Sequence, residues 1–79
     1  MTTEVPFPMM SENDPGAEGV VGTWFVEHGE PVTEGQVIAE VQVDKVSQDV
    51  EAPAAGVMYQ LVAENVGVVQ GNPIARIDS

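Results

Sequence analysis

The 79-residue chain has no cysteine, which excludes a disulfide, a thiol nucleophile and a cysteine-ligated zinc site. Its one histidine, His28, cannot form a metal cluster alone. Basic residues are almost as scarce. Lys45 and Arg76 stand against thirteen aspartates and glutamates, for a net charge of −11. That balance argues against nucleic acid and anionic lipid as partners. It favours a partner with a basic docking patch, or acts simply to keep a small, valine-rich domain soluble. No apolar run is long enough to span a bilayer. The opening "MTTEVPFPMMSEND" lacks the basic start and apolar stretch of a signal peptide. It also lacks the Arg-rich character of a transit segment, so the expected location is cytoplasmic.

The length suits one small domain, which buries only about 60–65% of its unfolded surface. Without disulfide or metal, such a domain rests on packing, sheet pairing and turn chemistry. No window carries a long helical stripe. Valine recurs throughout, at 20–21, 41, 43, 46, 50, 57, 62, 66 and 68–69. β-Branched residues fit a pleated, half-buried surface. Turn clusters interrupt these runs: "NDPG", "EHGEP", "TEGQ", "APAAG" and "QGNP". The pattern predicts an all-β domain of short strands. Six are expected over 4–10, 20–27, 37–43, 46–51, 57–63 and 74–77, with short pairing pieces at 31–32 and 68–69. Pro6, Pro8, Pro31 and Pro73 belong at edges or strand starts, because proline donates no ladder bond.

An internal repeat emerges when the chain is slid by 37. "GVVGTWFVEHGEPV" overlies "GVMYQLVAENVGVV", matching Gly19/Gly56, Val20/Val57, Glu27/Glu64 and Val32/Val69. After a one-residue gap, "GQVIAEV" overlies "GNPIARI", matching Gly35/Gly71, Ile38/Ile74 and Ala39/Ala75. The repeat implies a quasi-twofold domain whose halves share one core. One half alone continues through Asp44-Lys45 and returns as "VSQDVEA". The only lysine is therefore expected in a tight hairpin turn at one pole, with the chain ends toward the other.

A lysine in a turn needs no function; most are solvated, and lysine also blunts sheet edges. Aspartate before it suits a turn start. Lys45 stands out because it is unique and sits where the repeat is broken. Its surroundings complete the case. "EGQVIAEVQVDKVSQDVEAPAAGV", with Trp24, Gly29, Val32 and Gly35 upstream, resembles the lipoyl domain of 2-oxo acid dehydrogenase acyltransferases (E2 chains). The resemblance covers about 18–77. It implies a flattened β-barrel, or barrel-sandwich hybrid, of two four-stranded antiparallel sheets. It implies lipoic acid in amide linkage to Lys45, with Asp44 and Val46 as the recognition flank. A lipoate ligase or lipoyl transferase would install the group. The arm would then carry acyl groups and reducing equivalents from a thiamin-dependent dehydrogenase (E1) to coenzyme A at the E2 core. A dihydrolipoyl dehydrogenase (E3) would reoxidise it. The 79 residues are then one carrier domain, without an active site of its own, from the N-terminal part of a larger E2 chain. The isolated domain is expected to be a monomer.

Two rivals use the same features. A biotin carrier domain shares the implied fold but sets its lysine between two methionines. Here the neighbours are Asp44 and Val46, and none of Met1, Met9, Met10 and Met58 is adjacent. An unmodified acidic docking module would use the tip as a contact surface and tolerate Lys45→Arg. Residues 9–19, "MMSENDPGAEG", form a longer and more polar connection than the resemblance leads one to expect. In the family this loop lies near the modified lysine and helps the dehydrogenase choose its domain; otherwise it is a solvated surface connection. Glu40, Asp44, Asp49 and Glu51 gather around the hairpin. An exposed tip gives paired carboxylates no shielded cleft in which to act, so a solvated acidic face is expected. His28 reads as a turn residue. Of the adjacent Trp24 and Phe25, one faces the core and the other solvent.

Overall fold

The computed structural model describes all 79 residues and contains strands and turns but no helix. Eight strands run in chain order: β1 (Thr2–Pro6), β2 (Glu18–Trp24), β3 (Glu30–Val32), β4 (Val37–Val43), β5 (Val46–Glu51), β6 (Gly56–Gln60), β7 (Gly67–Val69) and β8 (Pro73–Asp78). They form two four-stranded antiparallel sheets, ordered β1-β8-β6-β3 and β5-β4-β2-β7. The sheets face each other as a sandwich and do not close into a true barrel.

Apolar positions on the inner faces build the core, with register shifts at Ile38 in β4 and Ile74 in β8 interrupting strict alternation. In β4, Ile38, Val41 and Val43 point inward, and in β8, Ile74 and Ile77 do. Sixteen buried apolar residues form one continuous cluster. Each fully buried valine, isoleucine or methionine contributes roughly 1.5–3 kcal/mol. The boundaries expected for β4 and β5 hold. The first strand runs from Thr2 to Pro6 rather than on to Met10, because Phe7 turns in to the core and Pro8 cannot extend the ladder. The expected strands from Val20 and Val57 both begin earlier and end sooner, at Trp24 and Gln60, where the chain crosses to the opposite sheet.

The internal repeat is real, and its alignment needs one correction. Exchanging β2 with β6, β3 with β7, β4 with β8 and β5 with β1 turns one sheet order into the other. The extra residue lies inside β2, however, not between the two repeat blocks. Val21 faces Val41 and Thr23 faces Glu40, so Gly22 is bulged out; β6 runs past β8 without a break. From that bulge the spacing is 36. Val32 therefore corresponds to buried Val68, not Val69, and Glu27 has no glutamate counterpart. Gly29 then matches Asn65, and both have positive φ, 87° and 65°. The bond from Gly29 N–H to Met58 O mirrors that from Asn65 N–H to Val21 O.

The matched pair Gly19/Gly56 has a packing cause. A Cβ on Gly19 would meet the carbonyl oxygen of Gln42, and one on Gly56 that of Asp78. Each half thus brings a strand so close to its neighbour that only glycine fits.

Candidate functional site

The β4–β5 hairpin is closed by Val43 opposite Val46, leaving Asp44 and Lys45 as a two-residue loop. Asp44 takes a left-handed φ of 53°. Two-residue hairpins favour positive φ at the first loop position, because such turns match the strand twist. Aspartate is among the few side chains that tolerate this conformation. The residue before the lysine thus has a conformational task of its own.

Lys45 is exposed, and no salt bridge or side-chain hydrogen bond engages its amine. The only ion pair in the chain joins Arg76 and Asp78 at 3.6 Å, in the other sheet. Val46, beside the lysine, leaves 59% of its surface to solvent although it is apolar. The tip therefore presents a free primary amine between a carboxylate and an exposed valine, on a closely paired hairpin. This arrangement suits covalent attachment: the amine is accessible, and the turn offers fixed features for an enzyme to recognise.

The other expected residues fall into place around this scaffold. Glu40 and Asp49 face each other across β4 and β5. Asp49 and Glu51 line an open groove between β1 and β5, floored by Val5, Pro6, Pro8 and Pro53. No three acidic or histidine side chains converge as a metal site. His28 accepts a bond at Nδ1 from Gln60 N–H (2.9 Å) and packs edge-on against Tyr59. The Arg76 guanidinium lies over the Tyr59 ring, 4.7 Å from its centroid. These residues stitch the outer face of one sheet. Trp24 is the aromatic that packs on the core, donating Nε1–H to Val62 O (3.2 Å), while Phe25 is exposed.

One residue drew no notice in the sequence, where "QGNP" reads only as a turn. Gln70 is the sole buried polar side chain, 4% exposed. Its Oε1 accepts from Met10 N–H and Ser11 N–H, both at 3.0 Å. Its Nε2 donates to Ser11 O (2.7 Å) and Asp14 O (2.9 Å). Four bonds from one amide hold the long β1–β2 connection. A lone glutamine beside a turn glycine gives no pattern from which such a clamp could be read.

The Biotin_lipoyl family model, described as biotin-requiring enzyme, matches residues 3–77. The chain belongs to this biotin/lipoyl family. Among curated relatives, it is 34% identical over 74 residues to the dihydrolipoyllysine-residue succinyltransferase component of the 2-oxoglutarate dehydrogenase complex of Bartonella vinsonii subsp. berkhoffii, covering 94% of this chain. It is 36% identical over 63 residues, 78% of this chain, to the acetyltransferase component of the Staphylococcus aureus pyruvate dehydrogenase complex. The chain spans only 18% and 15% of these relatives' lengths. Its fold matches the solution structure of the lipoyl domain of the 2-oxoglutarate dehydrogenase complex from Azotobacter vinelandii. The TM-score is 0.76 at 28% identity, covering 96% of this chain and 95% of that one. The chain is thus a lipoyl-type carrier domain by fold and family.

Proposed function

We propose that Lys45 is the lipoylation site and that the domain is the swinging-arm carrier of an E2 acyltransferase. The carrying observation is the exposed, unpaired amine of Lys45 at the tip of a two-residue hairpin, in a chain of lipoyl-domain fold. Lysine supplies a flexible four-carbon stem and an amine able to form an amide. Nζ attacks the activated carboxyl of lipoate; the C–N bond forms, the activating group leaves and the amine gives up a proton. Held there in amide linkage by Lys45, lipoate would supply a disulfide able to take both an acyl group and two electrons from the thiamin-dependent dehydrogenase. The protein's part is display: the hairpin holds the stem, and tethering keeps the arm's effective concentration high at every active site it spans.

The partners in this reading are a thiamin-dependent dehydrogenase, the E2 acyltransferase core, dihydrolipoyl dehydrogenase, and the lipoate ligase or lipoyl transferase. Asp44 and Val46 form the recognition flank. The 79 residues act as a monomeric unit of a larger E2 chain in the cytoplasm. Asp44 and Val46 favour lipoate over biotin, since no methionine flanks Lys45.

The test is acyl loading. The lipoylated domain is incubated with labelled 2-oxoglutarate or pyruvate and the corresponding dehydrogenase. Label is expected on the domain with one of the two and none on Lys45→Arg. A domain that carries lipoate yet takes acyl from neither argues against the E2 reading. A Lys45→Arg variant that still supports the reaction argues for a docking module.

A further inference from the structure

Lys45 stands at the head of an inner face that β5 leaves partly uncovered. β1 and β5 are end strands of their sheets, so each has one unpaired edge. Residues directly opposite in an antiparallel pair share a face of the sheet. Val46 faces Val43, Gln48 faces Val41 and Val50 faces Ala39, and all three β4 partners are buried. Val46, Gln48 and Val50 therefore form one stripe on the core side of β5. Val50 is buried, whereas Val46 and Gln48 are exposed. The stripe starts beside Lys45 and runs into the groove between β5 and β1.

The groove has a volume of about 310 Å³, at the lower end of ordinary small-molecule sites. It begins within reach of the lysine. Gln48, in its lining, stands three residues from Lys45, roughly 10 Å along an extended strand. On the other wall, the Phe7 ring and a Val43 methyl group both crowd Gly19, so β1 leads toward the hairpin as it reaches Pro8. The lining narrows the choice of occupant. Pro6, Pro8 and Pro53 have no N–H, so they offer an incoming peptide strand no ladder donor. Asp49 and Glu51 disfavour an anion. A neutral, largely apolar chain that needs no ladder fits better. A lipoyl group on Lys45 is such a chain, because the amide linkage removes the lysine's charge and tethers the group beside the stripe.

We propose that the groove between β1 and β5 is a resting site for the lipoyl arm of this same domain. This rests on the carrier reading above and adds a docked state to the displayed one. Val46 and Gln48 offer the stem a path along β5, and Val5, Val50 and the prolines offer the apolar ring a surface away from water. Tethering makes even a weak contact count, since the arm's effective concentration at the groove is high.

The experiment is an NMR comparison of isotope-labelled domain carrying lipoyl or acetyl on Lys45. Because Lys45 is the only lysine, an activated ester of either acid loads it without a ligase. The N-terminal amine is acylated too, and Lys45→Arg treated alike supplies that background. Acetyl removes the same charge but is too short to reach Gln48. With acetyl, shifts are expected at residues 44–47 only. With lipoyl, they are expected also at the amides of Gln48, Asp49 and Glu51 and the methyl groups of Val5 and Val50, with nuclear Overhauser contacts from the ring to those methyl groups. Gln48→Glu, an exposed change that puts a charge on the stripe, is expected to reduce the groove shifts by roughly half or more and leave those of the turn unchanged. Lipoyl shifts confined to the turn would overturn the proposal and leave the groove to another occupant. Groove shifts that persist in full in Gln48→Glu would overturn it as well. Failure of a lipoate ligase to modify wild type would instead overturn the carrier reading, and chemical loading keeps the two outcomes separate.

Discussion

Asp44 illustrates how one residue serves both fold and site. Its left-handed φ of 53° is the conformation that a two-residue hairpin needs before the lysine. Glycine adopts it without penalty, whereas alanine pays roughly 1–2 kcal/mol. Asp44→Ala is therefore expected to destabilise by about 1 kcal/mol and Asp44→Gly to be close to neutral, in urea unfolding. If Asp44 matters only as a turn former, Asp44→Gly should also be lipoylated like wild type. If its carboxylate is read by the ligase, Asp44→Gly folds well and is modified slowly. The turn was legible in the sequence from "VDKV" between two valine-rich runs. The sign of φ at Asp44 was not, because a turn residue's backbone conformation depends on how tightly the flanking strands close. His28 and Gln70 were opaque for a related reason. Each bonds to backbone far away in sequence, at Gln60 and at Met10–Asp14, and only the fold brings those groups near.

At the scale of elements, the close approaches at Gly19 and Gly56 carry the repeat. A Cβ at Gly19 would strike Gln42 O, the Phe7 ring and a Val43 methyl group; one at Gly56 would strike Asp78 backbone. Gly19→Ala and Gly56→Ala are each expected to destabilise by about 1–3 kcal/mol, since backbone on the far side cannot rotate away. Gly22→Ala is the control. Its Cβ would stand 3.7 Å from Glu40 O, an ordinary contact, so this bulge glycine should tolerate the change far better. Equal losses at all three positions would contradict the close-approach account. The glycine match was visible in the sequence, but the place of the extra residue was not. A bulge moves one residue out of register without any insertion between strands, so Gly22 looked like part of a continuous "GVVGTW" strand. Strands β4 and β5 were the most legible, because two valine-bearing runs of strand length flank a two-residue turn. The ends of β1, β2 and β6 were overrun because their apolar pattern continues into Phe7, Phe25-Val26 and Leu61-Val62 after the chain has left the sheet.

Across the whole molecule, a charge of −11 opposes compaction and also draws in basic partners. Both effects weaken as salt shortens the screening length. Raising NaCl from low to about 0.5 M is expected to raise the unfolding midpoint and, in the same range, to raise the dehydrogenase KM for the domain. A KM insensitive to salt would remove electrostatic docking from the account. Glu40 opposite Asp49 is one local source of the repulsion. Asp49→Asn is expected to add roughly 0.2–1 kcal/mol of stability, read as a rise in the urea midpoint at constant slope.

The quasi-symmetric sandwich is a frame, and the Lys45 turn and the Gln70-held loop are two of its departures from symmetry. The central claim is that the frame exists to display Lys45 for lipoate. The direct measurement is intact mass, followed by peptide mapping, of wild type and Lys45→Arg after incubation with a lipoate ligase and lipoate, beside a parallel incubation with a biotin ligase and biotin. The account predicts one lipoyl group on wild type, mapped to Lys45, none on Lys45→Arg, and no biotin on either. Biotin on Lys45, or a wild-type mass unchanged by lipoate and its ligase, would contradict it.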